Sequence, residues 1–207
     1  MRQRPFLYFD MGNVLLYFSH ERQTKQMAEV AGIPIELARK IVFDAGGLLD
    51  PYESGAITSQ LFYDQFCSQA GAKPERASLE LAASDIFDLN VPMVALAGRL
   101  KAGGYRLGVL SNTNECHWNH VTQRFSYLTT MFDVHALSFQ LRLLKPDVRI
   151  YQQAADLAGV SPRDVFYTDD REENVAAAKV AGFDAVLFQS PARLSEELYK
   201  RKIASNY

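Results

Sequence analysis

Three carboxylates, a hydroxyl and amide cluster and one lysine fall at comparable places along this chain. Asp10 ends the apolar run Phe6–Phe9 in FLYFDMGNVL. Ser111-Asn112-Thr113-Asn114 follows the apolar YRLGVL, and Asp169-Asp170 follows VFYT. Lys145-Pro146-Asp147 comes shortly after a weaker apolar segment that ends near Ser138. Converging carboxylates repel one another, and each is expensive to desolvate. A bound divalent cation removes that cost, and carboxylate and carbonyl oxygens without Cys or His suit Mg²⁺. A lysine and nearby backbone N–H groups then suit a phosphate dianion. One of the carboxylates can attack phosphorus to give an aspartyl-phosphate. Metal, lysine and amides would stabilise charge on the transferring group.

This chemistry requires that the chain bring those positions together. Short, apolar, β-rich segments bounded by breakers are expected as buried parallel strands at Phe6–Phe9, Tyr105–Leu110, Val134–Ser138, Val165–Thr168 and Ala185–Phe188. Helical spacing separates them at Val94–Lys101, Ile150–Ala158 and Asn174–Ala181, with Gly159 and Gly182 at the helix ends. Strands alternating with helices predict an α/β fold, a Rossmann-like doubly wound parallel sheet. Ligands of such sheets bind beyond the carboxyl ends of the strands, where the polar residues above fall.

The stretch from Ser19 to Asn90 reads differently. No strand is expected in it, and Thr24–Val30, Ile35–Phe43 and Ser59–Ala70 have amphipathic helical patterns separated by Gly46-Gly47 and Ser54-Gly55. The expected organisation is therefore a core of residues 1–18 and 91–207 carrying an inserted α-helical domain at 19–90, with Pro92 marking the return. Phe43, Tyr52, Phe62, Tyr63 and Phe66 are expected in the core of that insert. Asp44–Glu53 is the insert's loop expected to face a ligand.

Composition bounds the alternatives. The chain has 207 residues, of which 48% are hydrophobic and 22% charged, as in a folded globular protein. A net charge of −2 argues against non-specific nucleic-acid binding, and no apolar run is long enough to span a membrane. Met1–Arg4 is basic and precedes apolar residues, as in a secretory signal, but Asp10 interrupts the run and no small-residue cleavage site follows. Two distant cysteines, Cys67 and Cys116, set no disulfide framework, so a cytoplasmic location is expected. His117 and His120 lack a third ligand at a known spacing and are expected to be satisfied or solvent-facing. Arg171, Glu172 and Glu173 are expected to form a solvated helix start.

Taken in order, FDMGNVL, VLSNTN, LLKPD and VFYTDDREENV resemble the four motifs of the haloacid dehalogenase-like hydrolases. The resemblance covers essentially the whole chain, and the helical insert lies where this family's small α-helical cap lies. It implies a Mg²⁺-dependent phosphatase acting on a small phosphate ester. Asp10 would be the nucleophile. Ser111, the backbone N–H of Asn112 and the Lys145 ammonium would hold phosphate. Asp10, the backbone carbonyl of Gly12 and the acids Asp170 and Asp169 would hold the metal, with Asp170 favoured as the direct ligand.

Two departures qualify the resemblance. Most phosphatases of the family carry a second Asp two residues after the nucleophile, which protonates the leaving group and then activates water. Here that position is Gly12, and positioned acid–base help is typically worth about 10²–10⁴-fold in rate. The Asp-x-Gly-Asn-Val form is similar to that of a subset of the family and most resembles the bacterial α-D-glucose-1-phosphate phosphatase in it, whose anomeric phosphate leaves comparatively easily. Tyr17 stands where many members carry an acid. Two other functions stay open: dehalogenation of a 2-haloacid by the same aspartate, and a binding or regulatory protein weakened by the loss at Gly12.

Overall fold

The computed structural model describes residues 4–203. Among these, the strands in chain order are β1 (Phe6–Phe9), β2 (Leu16–Phe18), β3 (Phe87–Leu89), β4 (Leu107–Ser111), β5 (Val134–Leu137), β6 (Val165–Asp169) and β7 (Asp184–Leu187). Five of them form one parallel sheet in the order β5-β4-β1-β6-β7. The apolar runs are explained by burial on both faces. Phe6 and Tyr8 pack with Ile150, Tyr151 and Val165 on one side, while Leu7 and Phe9 pack with Leu96, Leu107 and Val109 on the other.

β1 lies between β4 and β6, where the strand order reverses. A crevice opens at that point beyond the carboxyl ends, and Asp10 stands at its centre. Two strand ends differ from expectation in a way that matters. β4 begins at Leu107, after Tyr105 and Arg106, and runs through Ser111, which pairs with Leu137. β6 runs through Asp169, which pairs with Leu187. Ser111 and Asp169 are therefore last rungs of the ladder, not first loop residues, and their positions are set by backbone pairing.

The helices between β2 and β3 are α1 (His20–Ala31), α2 (Ile35–Phe43), α3 (Leu49–Glu53), α4 (Ser59–Ala70) and α5 (Arg76–Ser84). Ser19 and Thr58 cap α1 and α4 by accepting from the N–H groups of Arg22 and Leu61. The five helices share a core of Met27, Ile41, Val42, Leu48, Tyr52, Phe62, Phe66 and Leu79, with Phe43 and Tyr63 partly buried against it. One expectation is corrected here. The stretch read as free of strands contains β3, which pairs antiparallel with β2. Three residues are too few for a readable alternation, and the partner lies some seventy residues earlier in the chain. Buried Asn90 closes this two-stranded link by donating from Nδ2 to the Val14 carbonyl at 2.8 Å.

The remaining helices are α6 (Val91–Ala102), α7 (Glu115–Arg124), α8 (Tyr127–Thr130), α9 (Ser138–Leu141), α10 (Val148–Ala158), α11 (Glu172–Val180) and α12 (Pro191–Lys200). The helical unit rests on two of them: α5 packs against α7, and α3 against α9. Gly55 makes the second contact possible. Its φ is +68°, and a Cβ there would stand 2.2 Å from the Phe139 carbonyl oxygen.

Gly108 is the strand glycine with a clear steric purpose. A Cβ on it would lie 2.4 Å from Cε1 of Tyr8 and 2.7 Å from that of Phe6. Both rings belong to the buried face of β1, so neither can swing into solvent. Gly108→Ala should lower folding stability by about 1–3 kcal/mol through overpacking, read as a reduced midpoint in thermal or urea denaturation. An unchanged midpoint would mean that this face of the sheet has room to repack.

Candidate active site

The cleft at the carboxyl ends of β1, β4 and β6 has a volume of about 390 Å³, and its lining includes Asp10, Ser111, Lys145 and Asp170. At its floor, Lys145 is buried and satisfied. Its Nζ donates to the Leu110 carbonyl at 3.1 Å, to the Tyr167 hydroxyl at 3.0 Å and to Asp169 Oδ2 at 2.7 Å, and it lies 2.9 Å from Asp10 Oδ1. The expected solvent-exposed default for lysine therefore fails here, because two carboxylates surround it. Asp10 Oδ1 also accepts from the Met11 N–H at 2.7 Å.

Electrostatics separates the two buried aspartates. Burial pushes Asp10 up to about 7, against the pull of Lys145, with Asp169 and Asp170 adding repulsion. Burial also acts on Asp169, but the Lys145 ammonium, the Tyr167 hydroxyl and the Arg171 N–H outweigh it and hold this carboxyl below the usual range. Lys145 is raised: burial opposes its charge, and Asp10 and Asp169 together more than offset that.

The sequence-predicted residues come together. Carboxylate oxygens of Asp10, Asp169 and Asp170 lie within 4.8 Å of one another. Ser111 ends β4 and its hydroxyl donates to the Asn112 carbonyl at 3.2 Å. Gly12 and Asn112 line the same cleft. The Asn112 side chain has a task not foreseen from sequence. It clamps the Lys145 backbone, accepting from its N–H at 2.8 Å and donating to its carbonyl at 3.0 Å.

Several supporting residues escaped the sequence reading. Asn13 adopts a left-handed conformation, φ 54°, which Asn tolerates better than most residues. From there its Nδ2 donates to Asp170 Oδ2 at 2.9 Å. Asn174 donates to both oxygens of Asp169, at 3.0 and 3.1 Å, and Tyr167 donates a short hydrogen bond to Asp169 Oδ2. Ser138 accepts from the Thr113 N–H at 2.9 Å, and its hydroxyl lies 2.6 Å from the Glu53 carbonyl, joining the helical unit to the loop after β4. An Asn after the Asp-x-Gly triplet and an Asn one turn into the helix after the acidic pair were the available signals.

His117 is satisfied, as expected, whereas His120 Nε2 is buried without a hydrogen bond among the described residues. His117 is buried with both ring nitrogens engaged: Nε2 donates to the Ala83 carbonyl at 3.0 Å, so Nδ1 accepts from Asn114 at 3.1 Å. Burial holds its pKa down at about 4, so it stays neutral. The segment Asp44–Glu53, expected as a loop, reaches the cleft through Leu49, Asp50 and Glu53, which belong to the short helix α3. Arg171, Glu172 and Glu173 are exposed, although Arg171 also borders the cleft.

The arrangement has the donors to hold a hard cation and an oxyanion beside a carboxylate. A crystal structure of a haloacid dehalogenase-like family enzyme from Bacteroides thetaiotaomicron, in complex with magnesium and inorganic phosphate, has a TM-score of 0.79 and 25% identity, covering 90% of this chain and 95% of that one. A phosphatase from Mycobacterium tuberculosis is 27% identical over 186 residues, covering 86% of this chain and 84% of the relative. An (S)-2-haloacid dehalogenase from Burkholderia cepacia is 33% identical over 88 residues, a match that spans 42% of this chain and only 38% of the dehalogenase. Residues 7–182 match the family itself, from the middle of β1 to the turn before β7. With that match and the shared fold, this chain belongs to the haloacid dehalogenase-like hydrolases.

Proposed function

We propose that this protein is a Mg²⁺-dependent phosphomonoesterase for a small phosphorylated metabolite, acting through an aspartyl-phosphate on Asp10. The observation that carries the reading is the charge balance of the cleft. Three carboxylates converge, and two of them share the Lys145 ammonium, which leaves an excess of negative charge in a partly desolvated place. The available donors are carboxylate and carbonyl oxygens, which suit Mg²⁺ and not a softer ion.

The hydrogen bonds suggest how the ligands divide. Both oxygens of Asp169 are already occupied by Lys145, Tyr167, Asn174 and the Arg171 N–H. Among the described residues, Asp170 accepts only from Asn13, at one oxygen. Asp170, Asp10 and the Gly12 carbonyl would thus hold the ion, with Asp169 fixing Lys145 beside it. When bound, the cation would offset charge on the phosphoryl oxygens and the nucleophile. Asp10 would attack phosphorus, and the bond to the leaving oxygen would break. Ser111, the Asn112 N–H and Lys145 would orient the phosphoryl group. The helical unit, residues 19–90, would act as a cap that restricts water and selects the leaving group. The match to a phosphatase over most of both chains supports this reading. Anomeric sugar phosphates head the candidate substrates, because Gly12 supplies no acid.

Phosphate release from a panel of metabolites with Mg²⁺ should be detectable, and Asp10→Asn should abolish it without loss of fold. Retained turnover in Asp10→Asn would overturn the nucleophile assignment. Halide release from a 2-haloacid, independent of Mg²⁺, would instead favour the dehalogenase alternative. Mg²⁺ should raise the melting temperature of the wild type and leave that of Asp170→Asn unchanged; an equal rise in both would remove Asp170 from the metal site. In metal-free buffer, Lys145→Met should cost about 3–5 kcal/mol, the range for breaking a buried ion pair, measured by urea denaturation.

A further inference from the structure

Gly12 leaves the proposed reaction without a proton donor for the leaving group, and the space beside it is already filled. A Cβ on Gly12 would stand 2.8 Å from Cε1 of Phe18 and 3.2 Å from its Cδ1. That ring is held by neighbours, with its centroid 4.9 Å from that of His20 and 6.2 Å from that of Phe87. A side chain at position 12 would therefore have to displace the Phe18 ring. A proton must then come from elsewhere in the cleft.

The titratable groups lining the cleft outside the nucleophile and metal set are few. His117 has both nitrogens committed and stays neutral. Asp50 is exposed. His20 is exposed and stacked between Phe18 and Phe43. Glu53 remains. It is the last residue of α3, it lines the cleft together with Asp10 and Gly12, and it is half-buried. Its backbone is fixed: the carbonyl accepts from Ser138 at 2.6 Å, and the chain then turns through Gly55 tightly against Phe139. Its carboxylate, by contrast, has no hydrogen bond or ion pair to any described residue, although every other carboxylate of the cleft floor is bonded.

We propose that Glu53 is the general acid and base of this enzyme, supplied across the cleft by the helical unit in place of the acid missing at Gly12. The inference rests on the phosphatase reading. In the first step Asp10 Oδ attacks phosphorus, the phosphorus–oxygen bond to the leaving group breaks, and the Glu53 carboxylic acid gives its proton to that oxygen. In the second step the Glu53 carboxylate takes a proton from water, whose oxygen attacks phosphorus. The bond to Asp10 then breaks and inorganic phosphate leaves. Glu53 and Asp10 both return to their starting states.

The surroundings of Glu53 suit both halves of the cycle. Burial in the cleft and the negative charges of Asp50, on the same helix, and Asp10, at the end of β1, push it up. Lys145, in the loop before α10, and Arg171, at the start of α11, pull it down; the balance lies at about 7. It is therefore available in both forms near neutral pH, as a shared acid and base should be.

The test is Glu53→Gln, assayed with Mg²⁺ on p-nitrophenyl phosphate, whose leaving group needs no proton, and on glycerol 2-phosphate, whose leaving group does. With p-nitrophenyl phosphate the variant should release a burst of nitrophenolate stoichiometric with enzyme and then turn over slowly, with phosphoenzyme trapped on acid quench. On glycerol 2-phosphate it should lose about 10²–10⁴-fold in rate without a burst. The wild-type rate on that ester should fall as pH rises through Glu53's titration, and this limb should vanish in the variant. Glu53→Asp should recover part of the rate, and melting temperature and circular dichroism establish that each variant is folded. A uniform loss on both esters without a burst, or a change confined to KM, would overturn the proposal and leave Glu53 a binding or structural residue. A burst in His20→Gln with none in Glu53→Gln would assign the proton to His20. Absence of Mg²⁺-dependent turnover in the wild type would fell the phosphatase reading itself, whereas wild-type turnover that Glu53→Gln leaves intact would fell only this inference.

Discussion

One buried ammonium organises this site. Lys145 Nζ stands within 2.9 Å of Asp10 and 2.7 Å of Asp169, and neither carboxylate could be buried as an ion without it. The fold is arranged to deliver that single atom. β1 supplies Asp10, β6 supplies Tyr167 and Asp169, and β4 supplies the Leu110 carbonyl, all from adjacent strands of one sheet. The lysine itself lies on no strand. Its backbone is held in register with them by the Asn112 side chain. A parallel sheet provides this precision because ladder pairing fixes the ends of neighbouring strands relative to each other.

What could be read from sequence followed from how local each signal is. The buried strands were legible because apolar runs ending in polar residues need no partner to be recognised. Asp10, Asp169 and Asp170 were legible because charged side chains at such ends are hard to explain otherwise, whereas Lys145, on no strand, was picked out by the LLKPD resemblance. The strand β3 was not legible, since three residues carry no periodicity and its pairing depends on β2, far away in the chain. The role of the Asn112 side chain was hidden for the same reason: its partner is 33 residues distant. Asn13 and Asn174 act on carboxylates through geometry that follows from a left-handed backbone and a helical turn, and neither shows in residue type alone.

Gly12 illustrates a second limit. Sequence identifies it as a missing acid, an absence defined by comparison with a family. The coordinates give it a positive cause, because the Phe18 ring occupies the space a side chain would need. Phe18 ends β2 and packs on Phe87 of β3, the two strands that lead into and out of the helical unit. The residue that crowds position 12 is thus part of the link that carries that unit.

This coupling constrains where the remaining chemistry can be located. If the leaving group is protonated from the strand side, the proton donor is fixed by the core and is independent of the helices above it. If it is protonated from α3, the donor arrives with the same element that encloses the substrate, and closure and proton transfer become one event. In the second arrangement the backbone of the donor is anchored at this junction. Ser138 bridges the Glu53 carbonyl and the Thr113 backbone, so the loop after β4 and the end of α3 are tied through one hydroxyl. A shift of the helical unit would therefore have to move this hydrogen bond together with the α3–α9 packing and the Gly55–Phe139 contact. Selection of the leaving group and its protonation would then be governed by the same few residues.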